Sequence, residues 1–456
     1  MSDLTPAASP PGRDVAARGS AARATARAGV AAELSNPLFR NAYALMANGG
    51  ITGVLGLGYW FLAARHYDPA DVGRNWAVIQ AVMFVGGLTA LNFMLIRFIP
   101  QTGQATGAFV ATSYAVGSGA AVVIALGFLV TLDWWGPSFA HLHGLGPGLW
   151  FLVMAFAWNL FTQQDAVFTG LRRAHWVPIE NTVFGLVKVV LLVAFAAALP
   201  REGVGLSWML PVIVSLAPVN LFIFRRLIPA HARATDGRRP RPTSAEIAHY
   251  VGGDYLGGLF AHATINLVPV VVAAQIDPRT NAYFTMAWVL GMMLNLLSIT
   301  MAMSLTVEGA FDDTRFAEKV RAALRRTVTL LVPVSALTIV CCPFALEVFG
   351  PGYAAQGAPL LQLLAAATLP KAVIELYLGV LRVRSRTRGI AVIQGARLLG
   401  TLAVVLVVPT ESILIGTGVG VLFVHAAIAV AVFPALRRAA SPGDDRAANG
   451  PRRAAC

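Results

Sequence analysis

Long runs of apolar residues alternate with short polar breaks along most of this chain. One helix needs about 20 consecutive apolar residues to cross a bilayer core, and about twelve runs here have that length. Glycine, proline and aspartate fall in the breaks, as expected at helix ends. The pattern predicts transmembrane helices at roughly 43–64, 75–96, 108–132, 148–169, 178–199, 206–224, 250–276, 282–305, 327–349, 359–380, 389–408 and 412–434.

Positive charge is concentrated in alternate breaks. Most of the 35 Lys and Arg residues lie before the first run, after every second run, or beyond the last run. The other breaks contain only Arg65, Arg74, Arg201 and Arg279. Because cytoplasmic loops are enriched in Lys and Arg, we expect a multi-pass protein of the bacterial inner membrane with both termini in the cytoplasm.

The longest internal break, 225–249, is basic and contains three prolines, and it separates six runs from six. We therefore expect an all-α membrane protein with an N-terminal six-helix lobe at 36–224 and a C-terminal six-helix lobe at 250–434. The break between them is expected to be a basic cytoplasmic linker. Residues 1–35 and 435–456 are polar or Ala/Arg-rich, which predicts disordered cytoplasmic tails.

The two halves also resemble each other. A shift of 209 residues aligns Asp68-Pro69 with Asp277-Pro278 and places Lys188 opposite Arg397. Matches at several helix ends suggest an internal duplication. Because each half has an even number of runs, the repeats are expected to be parallel and related by a pseudo-twofold axis along the membrane normal.

Composition narrows the function. Charged residues make up 12% of the chain, against about 25% in an average soluble domain. The net charge of +13 follows the membrane breaks, so we expect no nucleic-acid partner. Cys341, Cys342 and Cys456 have no metal-binding spacing, so no metal or other cofactor is expected. No nucleophile–base–acid set is visible, which argues against an enzyme.

Ionisable side chains within an apolar run are costly in lipid and should face a cavity or a partner. The candidates for substrate binding or ion coupling are Lys188, Arg397, Asp165, Glu375, Lys371 and Asp254. For Lys188 and Arg397 two interpretations stay open. They hold an anionic group part-way across the bilayer, or they pair with Asp165 and Glu375 and lock neighbouring helices. Lys371 and Glu375 are four residues apart, which favours mutual neutralisation.

Other polar residues have simpler explanations. Asp68-Pro69 and Asp277-Pro278 are typical of helix starts, with the aspartate as N-cap and the proline at the first helical position. His262 and His425 are isolated histidines, which favours a packing role over proton transfer.

Two stretches carry a family resemblance. The first comprises Arg40-Asn41, a glycine-rich run, Ala64-Arg65-His66-Tyr67-Asp68-Pro69-Ala70-Asp71-Val72-Gly73, another run, and Arg97-Phe98-Ile99-Pro100. The second comprises Phe349-Gly350-Pro351-Gly352-Tyr353 and Leu376-Tyr377-Leu378-Gly379-Val380-Leu381-Arg382. These stretches resemble polysaccharide-biosynthesis (O-antigen, oligosaccharide-lipid) flippases of the multidrug/oligosaccharidyl-lipid/polysaccharide exporter superfamily.

The resemblance implies two six-helix lobes in a MATE-like V shape that open alternately to each side of the membrane. It implies a polyprenyl-diphosphate-linked oligosaccharide as cargo, flipped to the outer leaflet for surface polysaccharide biosynthesis. Candidate partners are then the lipid bilayer, the lipid-linked oligosaccharide, and a polysaccharide polymerase or glycosyltransferases. In such flippases spans 1, 2, 7 and 8 line a cationic cavity. Here those spans contain no Lys or Arg between their ends, so no substrate-contacting residue is transferred from the family.

Two alternatives stay open. An ion-coupled multidrug or metabolite antiporter of the same fold commonly uses an acidic residue in its first span, and 43–64 contains none. A lipid-linked sugar polymerase or an envelope-assembly scaffold belongs to another class. The polymerase is disfavoured because the outer breaks, such as 350–358, carry almost no charge.

Overall fold

The computed structural model describes residues 37–235, 243, 245–247, 255–311, 316–384 and 386–441, with the backbone alone at 37–47 and 307–311. Regular structure in these residues is entirely helical. Twelve long helices follow one another: α1 (Pro37–His66), α2 (Pro69–Leu88), α3 (Thr106–Val130), α4 (Leu145–Gly170), α5 (Trp176–Ala198), α6 (Gly203–Phe222), α7 (Tyr255–Gln275), α8 (Pro278–Phe311), α9 (Phe316–Glu347), α10 (Pro351–Val383), α11 (Thr387–Val407) and α12 (Ile413–Ala439).

Eleven of these helices, with their short continuations, are long and apolar enough to cross a membrane, namely α2 to α12. The first helix, α1, has 30 residues, which is also long enough to cross a membrane. Large apolar side chains point outward from many helices: Val130 is 84% exposed and Val407 is 82% exposed. Such surfaces are stable against lipid, because helices satisfy their own backbone hydrogen bonds there. The predicted all-α multi-pass membrane fold is confirmed.

The helices form two lobes with the same internal packing. In the first lobe α1 packs on α5, α2 and α3 pack on α4, and α4 and α5 contact α6. In the second, α7 packs on α11, α8 and α9 pack on α10, and α10 and α11 contact α12. Each of these five contacts in the first lobe therefore has its counterpart six helices later. This is the arrangement expected from parallel repeats around a pseudo-twofold axis.

One predicted span is not continuous. The run at 75–96 is divided between α2 and a short helix, Asn92–Phe98. The backbone at this break is held from α4, where the Asn159 amide donates to the Gly86 carbonyl (2.8 Å) and to the Thr89 hydroxyl (3.0 Å). A break at membrane depth is tolerated where neighbouring side chains replace the lost backbone hydrogen bonds. Asn159 is fully buried and supplies that replacement.

Helices extend further than predicted at two boundaries. After α6 the chain continues through a π-helical turn, Ile223–Leu227, into a helix at Ile228–Thr235, so the linker predicted at 225–249 begins with helix. Similarly, α12 reaches Ala439, inside the tail predicted at 435–456. Basic side chains end both helices, where they complement the helix dipole. The tail at 1–35, most of the linker and residues beyond 441 lie outside the described residues.

Candidate functional site: a cavity in each lobe

The lobes meet where α2 packs against α7 and α8. We call the end of the bundle that holds the α1–α2 and α7–α8 turns the distal end, and the end at which α1 begins the terminal end. At the distal end Arg279 lies 3.2 Å from the Asp68 carboxylate, and the Asn281 amide donates to the Gly73 carbonyl at 2.8 Å. Arg65 donates to the Val348 carbonyl at 2.9 Å. These bonds close the distal end between the lobes.

Two glycines permit this closure. A Cβ atom at Gly73 would overlap the Pro278 carbonyl, and one at Gly136 would overlap the Ala274 carbonyl. Gly136 also has a φ of 71°, which side chains disfavour. Any other residue at Gly73 would therefore force α2 away from the start of α8.

The two distal aspartates act as helix caps, as predicted. Asp68 accepts a hydrogen bond from the Ala70 amide at 2.8 Å, and Asp277 accepts from the Thr280 hydroxyl at 2.6 Å. Partial burial opposes ionisation of Asp277, but hydrogen bonds from Thr280 and Arg279 outweigh it and lower the pKa of this carboxyl. Asp68 additionally bridges the lobes through Arg279, a contact that the sequence pattern does not reveal.

His262 of α7 also contacts the opposite lobe. Its Nε2 lies 3.2 Å from the Phe84 carbonyl, and its ring stacks on the Phe84 ring at 6.4 Å. Because a carbonyl oxygen only accepts, Nε2 is the protonated nitrogen, and Nδ1 accepts from the Asn266 amide at 3.2 Å. Both ring nitrogens thus have partners, consistent with the predicted packing role.

The N-terminal lobe contains an open cavity of about 610 Å³ between α1, the short helix Asn92–Phe98, α4, α5 and α6. Lys188, at mid-length on α5, is 5% exposed and lines it. The ammonium lies 3.7 Å from the centre of the Trp208 ring, 4.9 Å from that of Tyr59 and 5.0 Å from that of Phe184. Aromatic faces attract a desolvated cation by roughly 2 kcal/mol. The rings position the charge without neutralising it.

Of the two interpretations left open for Lys188, the pairing with Asp165 is not present. Across the described residues no ion pair joins the two. Asp165 lies five residues before the end of α4 and Lys188 twelve residues after the start of α5, so their depths differ by roughly 10 Å at 1.5 Å per residue. Asp165 instead accepts from Asn181, five residues into α5, at 3.2 Å.

Further polar groups surround Asp165. The cavity lining also contains Asn48, Asn92 and Thr162, together with the Trp158 ring. Beside Asn181, both carboxylate oxygens of Glu180 are buried without a hydrogen-bond partner, as is Oδ1 of Asp165. The cavity thus combines one cation, amide and hydroxyl groups, and large aromatic faces with the Asp165 carboxylate near its terminal end.

The C-terminal lobe contains a smaller cavity, of about 140 Å³, in the corresponding place. Arg397 of α11 donates from Nη1 to Glu375 of α10 at 2.7 Å and to the Gln394 side-chain carbonyl at 2.9 Å. Both members of the ion pair are buried, with side chains 7% and 6% exposed. The pairing proposed between Arg397 and Glu375 is therefore present in the structure.

His425 of α12 completes this network. Its Nδ1 lies 2.7 Å from the Val421 carbonyl, so Nδ1 carries the proton. Nε2 is then an acceptor, and Arg397 Nε donates to it at 3.3 Å. The geometry requires a neutral imidazole, which makes His425 a fixed acceptor for the guanidinium.

Lys371 does not neutralise Glu375 as predicted. No ion pair or hydrogen bond to Lys371 occurs among the described residues, and Oε1 of Glu375 accepts from Arg397 instead. Lys371 is 3% exposed and lines the cavity. The remaining candidate, Asp254, lies outside the described residues.

The two cavities are related by the 209-residue shift. Four lining residues of the larger cavity correspond in this way to lining residues of the smaller one: Leu55 to Thr264, Thr162 to Lys371, Gly185 to Gln394, and Lys188 to Arg397. Gln394 was missed from the sequence, although its position one turn before Arg397 was a usable signal. Trp208 and Tyr59 gave no such signal, because they reach Lys188 from helices distant in sequence.

No family model matches the chain, and no curated protein matches it. Solved structures do. One of them is described as the inward-facing conformation of a multidrug resistance MATE family transporter of the MOP superfamily. Its TM-score is 0.66 at 14% sequence identity, and the alignment covers 87% of this chain and 96% of that chain. The outward-facing conformation described in the same words has a TM-score of 0.57, again at 14% identity, with 90% and 96% covered. The chain has the MATE transporter fold.

A third similar structure is a MOP superfamily transporter from Pyrococcus furiosus, for which a reverse polarity of the binding pocket is described as suggesting a different function. It has a TM-score of 0.58 and 14% identity, with 88% of this chain and 95% of that one covered.

Proposed function

We propose that this chain is an alternating-access transporter that flips a polyprenyl-diphosphate-linked oligosaccharide from the cytoplasmic to the outer leaflet of the bacterial inner membrane. The cavity of the N-terminal lobe is the observation that carries the proposal. The Lys188 ammonium lines this cavity and contacts the faces of aromatic rings. It has no carboxylate partner among the described residues. Amide and hydroxyl groups line the same space, in the half of the bundle nearer the terminal end.

These groups match the head group of such a lipid. A diphosphate carries about two negative charges, and a charge at the bilayer centre costs at least ~2.5–3.5 kcal/mol on insertion scales. A cation that already lies desolvated in the cavity offsets part of that cost. Sugars need both hydrogen-bonding groups and flat apolar surfaces, which the asparagines and tryptophans provide, and the lipid tail can stay in the bilayer.

The direction of transport follows from the closed distal end. If the positive-rich breaks are cytoplasmic, the terminal end faces the cytoplasm, where the glycolipid is assembled. The cavity then receives cargo from that side and releases it when the distal contacts open. No nucleotide-binding motif occurs in the sequence, which favours an ion gradient or the membrane potential as the energy source.

Deletion of the gene, followed by leaflet-resolved analysis of lipid-linked oligosaccharides, tests this function. We expect the glycolipid to accumulate on the cytoplasmic side and a surface polysaccharide to be lost. Complementation with Lys188→Arg should restore export, whereas Lys188→Met should not. An unchanged glycolipid distribution, in a strain with no redundant flippase, contradicts the proposal.

An ion-coupled multidrug antiporter is the second candidate, and the buried carboxylates favour it. Asp165 and Glu180 lie without a cationic partner among the described residues, as expected of groups that exchange ions. Ethidium efflux from a drug-hypersensitive host distinguishes the two functions. Robust efflux that is lost in Asp165→Asn supports the antiporter, and its absence supports the flippase.

A further inference from the structure

The small cavity of the C-terminal lobe has more positive than negative charge in its lining. Its charged side chains are Lys371, Arg397, Arg382 and Glu375. Arg382 is exposed at the terminal end of α10, whereas the other three are buried. His425 is neutral, since its Nε2 accepts from Arg397. One carboxylate therefore faces three cations, and that carboxylate is already paired with Arg397.

Three hydrogen-bond donors in this lining have no partner in the described residues. The Lys371 ammonium makes no hydrogen bond, and Arg397 uses Nε and Nη1 but not Nη2. The Thr401 hydroxyl, one turn after Arg397, is buried without a partner as well. Charged donors that face a largely buried cavity are costly to leave unsatisfied, so an acceptor in the cavity stabilises this arrangement.

We propose that this cavity binds a small inorganic anion of the chloride class, held by Lys371, Arg397 and Thr401. An anion accepts hydrogen bonds from all three donors and compensates the excess positive charge. The volume of about 140 Å³ suits an ion with a few waters, since a water occupies about 30 Å³ in the liquid. It excludes a sugar diphosphate, so the site is distinct from the cargo cavity of the other lobe and does not depend on what the cargo is.

The site is tested on the full-length protein in detergent, with chloride as the probe. Thermal unfolding is followed while sodium gluconate is replaced by sodium chloride at constant ionic strength, and bound radiolabelled chloride is measured by equilibrium dialysis. We expect saturable binding and a chloride-dependent rise in the unfolding midpoint. The absence of saturable chloride binding in the wild-type protein overturns the proposal.

Matched variants locate the site. Lys371→Met should weaken chloride binding at least tenfold and raise the midpoint in gluconate, because it removes an uncompensated cation. Lys188→Met, which removes the buried cation of the other lobe, should leave chloride binding intact. Chloride binding by Lys371→Met equal to that of the wild type contradicts the assignment.

If Lys371→Met does not fold, a second pair of less disruptive variants tests the site. Thr401→Val is isosteric and removes only the unpartnered hydroxyl, so we expect a stable protein with several-fold weaker chloride binding. Thr417→Val is the control, because the Thr417 hydroxyl is equally buried and unpartnered but does not line the cavity. Equal chloride affinity in the two valine variants overturns the role of Thr401 and with it the site.

Discussion

Arg397 is the residue whose surroundings are most fully determined. Its guanidinium contacts three side chains from three helices, at Glu375, Gln394 and His425. Desolvating both charges of such a pair costs several kcal/mol, which their attraction only partly repays. The pair therefore contributes little net stability over apolar packing, but either charge alone is strongly destabilising. Because of this asymmetry, the ion pair holds α10 and α11 in a fixed arrangement.

A double-mutant cycle measures the coupling free energy between Arg397 and Glu375. Arg397→Met or Glu375→Met alone should lower the free energy of unfolding by about 3–5 kcal/mol, since each leaves one buried charge unpaired. The double variant should recover most of the loss. Arg388→Met, on the exposed first turn of α11, is the control and should change stability by less than about 0.5 kcal/mol. The stability of each variant is measured by thermal unfolding in detergent. If the loss of stability in the double variant equals the sum of the two single losses, Arg397 and Glu375 are not coupled.

At the scale of the element, α2 is central because it contacts the opposite lobe along much of its length. Its first turn touches α8 at Gly73, and near its last turn Phe84 stacks on His262 of α7. The helix then breaks, and Asn159 of α4 holds the break. In the alternating access that we propose, α2 separates from α8 at the distal end, while Asn159 keeps α2 attached to its own lobe.

Gly73→Ala tests this interface. The added Cβ overlaps the Pro278 backbone, which cannot move as a flexible side chain can, so we expect the population closed at the distal end to fall. Spin labels at Glu202 and Glu411, both exposed at that end, report the distance between the lobes in a cysteine-free background. Gly127→Ala is the control, because nothing lies within 4 Å of its added Cβ. A distance distribution that is identical in wild type and Gly73→Ala argues against the steric account.

The helices were predictable and much of the site was not, for physical reasons. Apolar run length fixes the spans, but glycines such as Gly86 occur inside intact membrane helices too, so the break after Leu88 was not predicted. The Arg397–Glu375 pair was predictable because the two residues lie ten and eight residues from the α10–α11 turn, a depth difference of roughly 3 Å. The same comparison of depths excludes an ion pair between Lys188 and Asp165. Of the three rings around Lys188, Tyr59 and Trp208 come from α1 and α6, and no local pattern encodes those two contacts.

At the scale of the molecule, two lobes with equivalent packing each contain a cavity in a corresponding place, and they are joined where α2 packs against α7 and α8. Equivalent lobes can rock against each other as rigid bodies, which is the usual basis of alternating access. The cavities differ in charge and size. The larger one suits a bulky polar head group, and the smaller one suits an ion.

The orientation of the molecule is itself a prediction. Both termini and the 225–249 break should be cytoplasmic, because the positive charge is concentrated there. Reporter fusions after Gly237 and after Gly144 should therefore give opposite signals, the first cytoplasmic and the second periplasmic. Signals from the same side of the membrane would contradict the topology and the assignment of the distal end.

The most direct measurement of the central claim is head-group translocation in proteoliposomes that contain only this protein. A lipid-linked oligosaccharide is placed in one leaflet, and its appearance in the other is followed with a membrane-impermeant glycosidase. We predict translocation well above that of protein-free liposomes, at least tenfold lower for Lys188→Met and largely retained for Lys188→Arg. Translocation no faster than in protein-free liposomes, with an imposed ion gradient and membrane potential, would contradict the account.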